Sequence, residues 1–207
     1  MLNSRFILTL SVMLMAEGLC AQVAEVGVKG GPAFTSLVSA ASKHRPLLSM
    51  VAGVYAPIPI NPRLIFQPEL EIATMGTARY SGAERTDALR TTYLRAPLTL
   101  RLKVAPRIQV GVGLQPGYLL FAWRQDHDTT MVATGDIKSF DMSFICGASV
   151  CIAAHTDVTL RYVYGLTSVL ANDRVYFPTN RAIQLTLGLR MKRFKGASVY
   201  RRRSFAR

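Results

Sequence analysis

Beyond about residue 22 the chain alternates apolar and polar residues so regularly that successive side chains have two opposite directions to point. In "RAIQLTLGLRM", Ile183, Leu185, Leu187, Leu189 and Met191 share one parity, and Gln184, Thr186, Gly188 and Arg190 share the other. "VTLRYVYGL" sets Leu160, Tyr162, Tyr164 and Leu166 against Thr159, Arg161, Val163 and Gly165. In "IQVGVGLQPGYLLFAW" the apolar face is Ile108, Val110, Val112, Leu114 and Tyr118, opposed by Gln109, Gly111, Gly113, Gln115 and Gly117. A period of two is the pattern of β-strands with unlike faces. Eight such segments fall near residues 24–34, 47–57, 63–77, 91–104, 107–123, 140–153, 157–169 and 181–194. Several exceed ten residues, which is long for a soluble strand and suits one that crosses a bilayer at a tilt.

The connections alternate in length. "PINP" (59–62), "APR" (105–107) and "AHT" (154–156) read as tight turns, whereas 35–46, 78–90, 124–139 and 170–180 read as long polar loops. A soluble sandwich gives no reason for strict alternation. A bacterial outer-membrane barrel does: short periplasmic turns, longer outer loops, an even strand number and both termini on the periplasmic side. The pattern therefore predicts an all-β chain, an eight-stranded antiparallel up-and-down transmembrane β-barrel.

"YLRAPLTLRLKV" (93–104) then assigns the faces. Leu94, Leu98, Leu100 and Leu102 share one parity, and Arg95, Thr99, Arg101 and Lys103 the other. In a barrel the leucines meet lipid and the cations point into the lumen. Eight strands leave an interior barely wide enough for side chains, so buried cations need carboxylates. "FQPELEIATM" supplies Gln67, Glu69 and Glu71 on one parity. The expected luminal charge network is Glu69, Glu71, Arg95, Arg101, Lys103, Arg161 and Arg190. Glycines 111, 113, 147, 165 and 188 share the luminal parity, where a crowded interior favours missing side chains. Tyr93, Tyr118, Phe121, Trp123, Tyr162, Tyr164 and Phe194 gather toward strand ends as partial interface girdles. Phe121 and Trp123, however, carry luminal parity.

At 207 residues and 50% apolar content the chain suits a single ordered domain. Its first residues, "MLNSRFILTLSVMLMAEGLCAQ", combine Arg5, an apolar run from Phe6 to Ala16 and small residues up to Ala21, which predicts a cleaved secretory signal at 1–21. Glu17, Gly18 and Leu19 before Cys20 fit a lipoprotein signal poorly. The apolar run is too short to span a membrane as a helix, and no later segment is long enough. The barrel is expected over 22–194, followed by a basic periplasmic tail at 195–207 that includes Arg201, Arg202 and Arg203. Cys146 and Cys151 remain; in one strand they would lie on opposite faces about 17 Å apart and could not bridge.

"VGVKGGPAF", "FQPELEIATMG", "YLRAPLTLRLKV", "VGVGLQPGYLL", "FDMSFICGASVCIA", "LRYVYGLTSV" and "IQLTLGLRM", in that order, resemble the PorT-type outer-membrane β-barrel domain family over nearly all the mature chain. The resemblance implies an OmpA-like eight-stranded barrel without a periplasmic peptidoglycan-binding domain. The family's founding member is linked to type IX protein secretion. Such barrels usually finish on an aromatic in the last strand; Phe194 fits, but "KGASVYRRRSFAR" follows it. A tail of this charge would meet phospholipid headgroups, peptidoglycan or another subunit, or stand solvated in the periplasm.

No P-loop, GxGxxG, CxxC pair or HExxH occurs, so no cofactor, metal site or small-molecule substrate is indicated. His127 in "RQDHDTT" lies between Asp126 and Asp128, a pairing able to activate water or hold a cation, though loop histidines of this kind are ordinarily solvated. His44 falls in another outer loop and His155 in a turn. The 25 Lys and Arg against 12 Asp and Glu give a net charge of +13, but the cations spread through lumen, turns and tail rather than forming one face, which argues against nucleic acid. The expected function is non-enzymatic: an exported outer-membrane protein in contact with lipid and with other outer-membrane or secretion-machine proteins. The alternatives are a narrow pore for ions or small solutes and an outer-membrane hydrolase.

Overall fold

A computed structural model describes residues 25–38, 45–81, 84–126, 129–132, 134–169 and 178–191. Among them eleven strand segments form: β1 (Val26–Val38), β2 (Arg45–Tyr55), β3 (Ile58–Pro59), β4 (Leu64–Ser81), β5 (Glu84–Arg95), β6 (Leu98–Ala105), β7 (Ile108–Asp126), β8 (Thr129–Val132), β9 (Phe140–Ala153), β10 (Thr156–Gly165) and β11 (Thr179–Met191). They make eight staves. β3 prolongs β2, β6 prolongs β5, and β8 is a short partner of the end of β7. Each stave pairs antiparallel with the next, and β1 closes the ring on β11 from Val26↔Met191 to Val38↔Thr179. The fold is a closed eight-stranded antiparallel up-and-down β-barrel.

The breaks within staves have a common cause. Pro57 and Pro97 have no N–H to give to a ladder, and they interrupt β2/β3 and β5/β6 respectively. Proline carbonyls still accept: Ala56 N donates to Pro68 O at 3.1 Å, Glu69 N to Pro97 O at 2.9 Å and Ala96 N to Pro116 O at 2.9 Å. The staves thus stay joined across a band of prolines.

Polarity is inverted relative to a water-soluble barrel. Outward-facing Leu98, Leu100 and Leu102 are 42–45% exposed, whereas inward Thr99 and Arg101 are buried. Leu70, Ile72, Val112, Leu114, Leu160, Leu185 and Leu187 continue the exposed apolar surface around the wall. A belt of this extent is the surface of a protein solvated by hydrocarbon.

At one end the staves are joined by short turns, at Pro106–Arg107 and Ala154–His155 among them. At the other end the wall is taller than the sequence suggests. The segment 78–90, expected as a loop, is largely a hairpin of β4 and β5 paired out to Ser81↔Glu84. Likewise β7 runs to Asp126 and β8 returns along it, inside the expected loop 124–139. Alternation fades there because no lipid demands an apolar outer face above the bilayer, although Ala78, Ala88 and Leu89 are still buried. Conversely β10 stops at Gly165, short of the expected 169.

The hairpin end of the barrel encloses an apolar cluster that includes Leu37, Tyr93, Leu119, Ile137, Val163 and Val169. Ile137 and Val169 come from connections, not staves. Their segments are tied to the wall and to each other: Leu119 N donates to Ser139 O at 2.7 Å, Lys138 N to Val169 O at 2.9 Å and Val169 N to Pro178 O at 2.9 Å.

One girdle expectation fails, for Tyr93, and for Phe121 and Trp123 it is the luminal parity that does not hold. Tyr93 is fully buried inside the barrel, as its parity with Arg95 requires. Phe121 and Trp123 face outward, 39% and 43% exposed, despite their luminal parity. The reason is a β-bulge: Thr92 pairs with Phe121 but Tyr93 with Leu119, so Leu120 is an extra residue in β7. One inserted residue reverses every later side chain, and Ala122 turns inward at 0% exposure. The outward rings of Phe121 and Trp123 lie 4.8 Å apart.

Candidate functional site

The lumen holds the candidate site. β4 sends Glu69 and Glu71 inward because residues two apart in a strand share a face, and both are buried. Lys29 of β1 pairs with Glu69 through Nζ and lies 2.7 Å from Glu71 Oε2. Arg161 of β10 donates through Nη2 to Glu69 Oε1 at 2.7 Å and Oε2 at 2.9 Å, and its Nη1 lies 3.6 Å from Glu71 Oε2. Arg101 Nη2 approaches Glu69 Oε1 at 3.6 Å, and Gln67 Nε2 donates to the same oxygen at 2.7 Å. Glu69 is the hub, a buried carboxylate met by three cations and an amide.

Of the residues expected in the network, Glu69, Glu71, Arg101 and Arg161 come together. Arg95 does not join them. It pairs across the ladder with Glu71 in backbone register, but its buried guanidinium turns to Asp141, with Nη2 at 3.3 Å from Oδ2. Asp141 also accepts from Thr167 Oγ1 at 2.9 Å, Ser143 Oγ at 3.3 Å and Asn180 Nδ2 at 3.4 Å. Arg190 belongs to a third group: it lies 3.9 Å from both Glu25 and Asp157. Asp157 there accepts from the Tyr55 hydroxyl at 2.9 Å. Lys103 is exposed, contrary to expectation; it has luminal parity but sits at the short-turn rim, opposite Gln109, where the lumen opens to solvent.

Sequence reasoning missed Lys29, Asp141 and Asp157. Lys29 stands between Val28 and the Gly30-Gly31 pair in "VGVKGGPAF", with no long alternation to mark its face. Asp141 and Asp157 do carry the signal, since each shares parity with identified luminal residues of its own strand, Asp141 with Gly147 and Asp157 with Arg161. Cys146 and Cys151 are both unpaired. Cys151 accepts from Arg190 Nη2 at 3.7 Å.

Two gaps between these groups are small. One cavity of about 10 Å³ lies beside Arg101, Ile145 and Arg161, and one of about 20 Å³ lies beside Tyr55, Gln109, Asp157 and Arg190 at the short-turn end. Each has room for about one water molecule. Among the described residues no group of His, Cys, Asp or Glu is arranged to hold a metal. His44, His127, Phe194, Arg201, Arg202 and Arg203, the signal segment 1–21 and the tail 195–207 lie outside the described residues.

Comparison with known proteins agrees with this architecture. The chain is similar in fold to Neisserial surface protein A (NspA): 13% identity, 81% of this chain and 96% of that one, TM-score 0.54. It is also similar to Ail, the attachment invasion locus protein of Yersinia pestis, in its complex with the heparin analogue sucrose octasulfate: 10% identity, 81% and 99% coverage, TM-score 0.51. No curated protein matches the sequence. The family described as "Outer membrane protein beta-barrel domain" matches residues 20–171. An apolar outer belt, a charged lumen, closure of β1 on β11 and this match lead to one conclusion: the chain belongs to the outer membrane protein beta-barrel domain family and is a bacterial outer-membrane β-barrel protein.

Proposed function

We propose that this protein is a non-enzymatic anchor or accessory component of an envelope assembly, acting through its ends rather than through its lumen. The observation that carries this reading is the filled interior. Lys29, Arg101 and Arg161 converge on Glu69 and Glu71, Arg95 meets Asp141, and the apolar cluster with Ile137 and Val169 lies at the hairpin end. An interior so packed leaves loops, turns and tail as the surfaces able to do work. In this reading the short turns, the exposed Arg63, Lys103 and Arg107, and the tail with Arg201, Arg202 and Arg203 face the periplasm. The resemblance to the PorT-type family makes a protein-export machine of the type IX kind the assembly of choice.

The test is gentle solubilisation of outer membranes carrying a loop-tagged copy, then mass spectrometry of what co-purifies. Stoichiometric recovery of export-machine subunits supports the assembly role. Recovery of the barrel alone overturns it. Planar-bilayer recording addresses the pore alternative: single-channel conductance at background is expected, and steady openings would move the function into the lumen.

A further inference from the structure

We propose that Arg181 binds the phosphate of an outer-leaflet lipid headgroup. The proposal rests on the outer-membrane placement of the barrel and goes beyond its role as an anchor.

Arg181 lies near the start of β11, on the parity of Ile183, Leu185, Leu187, Leu189 and Met191, so it faces outward from the wall. A cation in such a position is costly unless it reaches the headgroup layer. Its depth is suitable. The ten steps from Arg181 to Met191 rise about 34 Å at 3.4 Å each, or about 26 Å along the membrane normal at a 40° tilt. This matches the roughly 25 Å apolar band of outer-membrane barrels, which puts Met191 at one edge of the hydrocarbon and Arg181 at the other.

The side chain is also held in place. The face of the Tyr164 ring lies 4.5 Å from the guanidinium carbon, and Nη1 donates to the Tyr162 hydroxyl at 3.4 Å. Both tyrosines are outward-facing girdle residues, and Tyr164 pairs with Arg181 in register. This clamp orients the guanidinium without neutralising it. Nε is enclosed with no hydrogen-bond partner, and among the described residues no carboxylate pairs with Arg181. Directly toward the membrane centre lie Ile183 and Phe34, 51% and 58% exposed and paired across β1 and β11. An unneutralised guanidinium above an apolar strip has the two-part chemistry of a phospholipid: an anion at the headgroup and an acyl chain below. Arginine suits phosphate because its planar donors match the oxygens and its weak hydration lowers the cost of stacking on tyrosine.

The test uses the full chain folded in phosphatidylcholine nanodiscs doped with phosphatidic acid, followed by native mass spectrometry of lipids retained after release. Native protein should retain one phosphatidic acid. Arg181→Ala should weaken retention roughly tenfold or more, the scale of one charge-assisted contact. Arg181→Lys should fall between, because it keeps the charge and loses the planar donors. Inorganic phosphate should not displace the lipid. Equal retention by the native and Arg181→Ala proteins would overturn the site and leave Arg181 a structural partner of the tyrosines. Displacement by inorganic phosphate would overturn the lipid assignment in favour of a free-anion site. Heat-dependent gel mobility of each variant reports barrel folding separately, so loss of the membrane placement itself would be recognised.

Discussion

Arg161 on β10 and Glu69 on β4 meet across the lumen although 92 residues separate them, with Nη2 donating to both carboxylate oxygens at 2.7 and 2.9 Å. Lys29 and Arg101 converge on the same carboxylate. One side chain thereby fastens three other staves. Glu69→Gln should destabilise the barrel by about 3–5 kcal/mol, because it leaves buried cations uncompensated. Urea unfolding of protein folded in lipid vesicles measures this, and an unchanged midpoint would show that the network adds nothing to stability. Replacing Glu69 and Arg161 together by apolar residues should recover part of the loss.

Asp141 ties the hairpin end together. It binds Arg95, Ser143, Thr167 and Asn180, of which Thr167 lies in the connection after β10 and Asn180 in β11. Asp141→Ala should cost about 3–5 kcal/mol by stranding the buried Arg95. It should also speed amide exchange at Leu166 and Val169, whose N–H groups bond Met142 O and Pro178 O. Exchange at native rates in the variant would mean that the connection is held by the apolar cluster alone.

At the short-turn end a glycine makes room for an aromatic ring. A Cβ at Gly27 would fall 2.5 Å from the Tyr55 ring, whose hydroxyl donates to Asp157. Gly27→Ala should destabilise by about 1–3 kcal/mol through overpacking. Tyr55→Ala in the same chain should remove most of that increment, a coupling that a double-mutant cycle reads directly. Additive effects would place the strain elsewhere.

Trp123 is the single tryptophan of the chain, so its fluorescence reports on one site. With the bulge at Leu120 turning it outward, its emission should be quenched by brominated lipids, and more by bromines near the headgroup than by deep ones. Emission indifferent to brominated lipid would mean that the ring points into the lumen.

How much was legible follows from what a period of two encodes. Parity alone assigns Glu69, Glu71, Arg95, Arg101 and Arg161 to the interior and the leucine faces to lipid, because successive side chains of a strand must point to opposite sides. Parity carries no depth. Lys103 has the luminal direction yet sits at the rim, and Arg190 is only half-buried beside Glu25 and Asp157. Parity also fails silently past an inserted residue, which is why Phe121 and Trp123 face the opposite way. The hairpin over 78–90 was hidden for a different reason: above the bilayer no lipid selects an apolar outer face, so the paired strands read as polar loop although Ala78, Ala88 and Leu89 are buried.

Local alternation and the spacing of turns specify the barrel class, the stave count and the face of each residue along uninterrupted strands. Which luminal charges meet emerges in the closed ring alone. Glu69 and Arg161 become neighbours through closure of the ring, Arg95 chooses Asp141 over the in-register Glu71, and Lys29 reaches β4 from β1. Those choices depend on tilt, bulges and side-chain reach across a curved wall, and these are set by the ring as a whole rather than by any one strand.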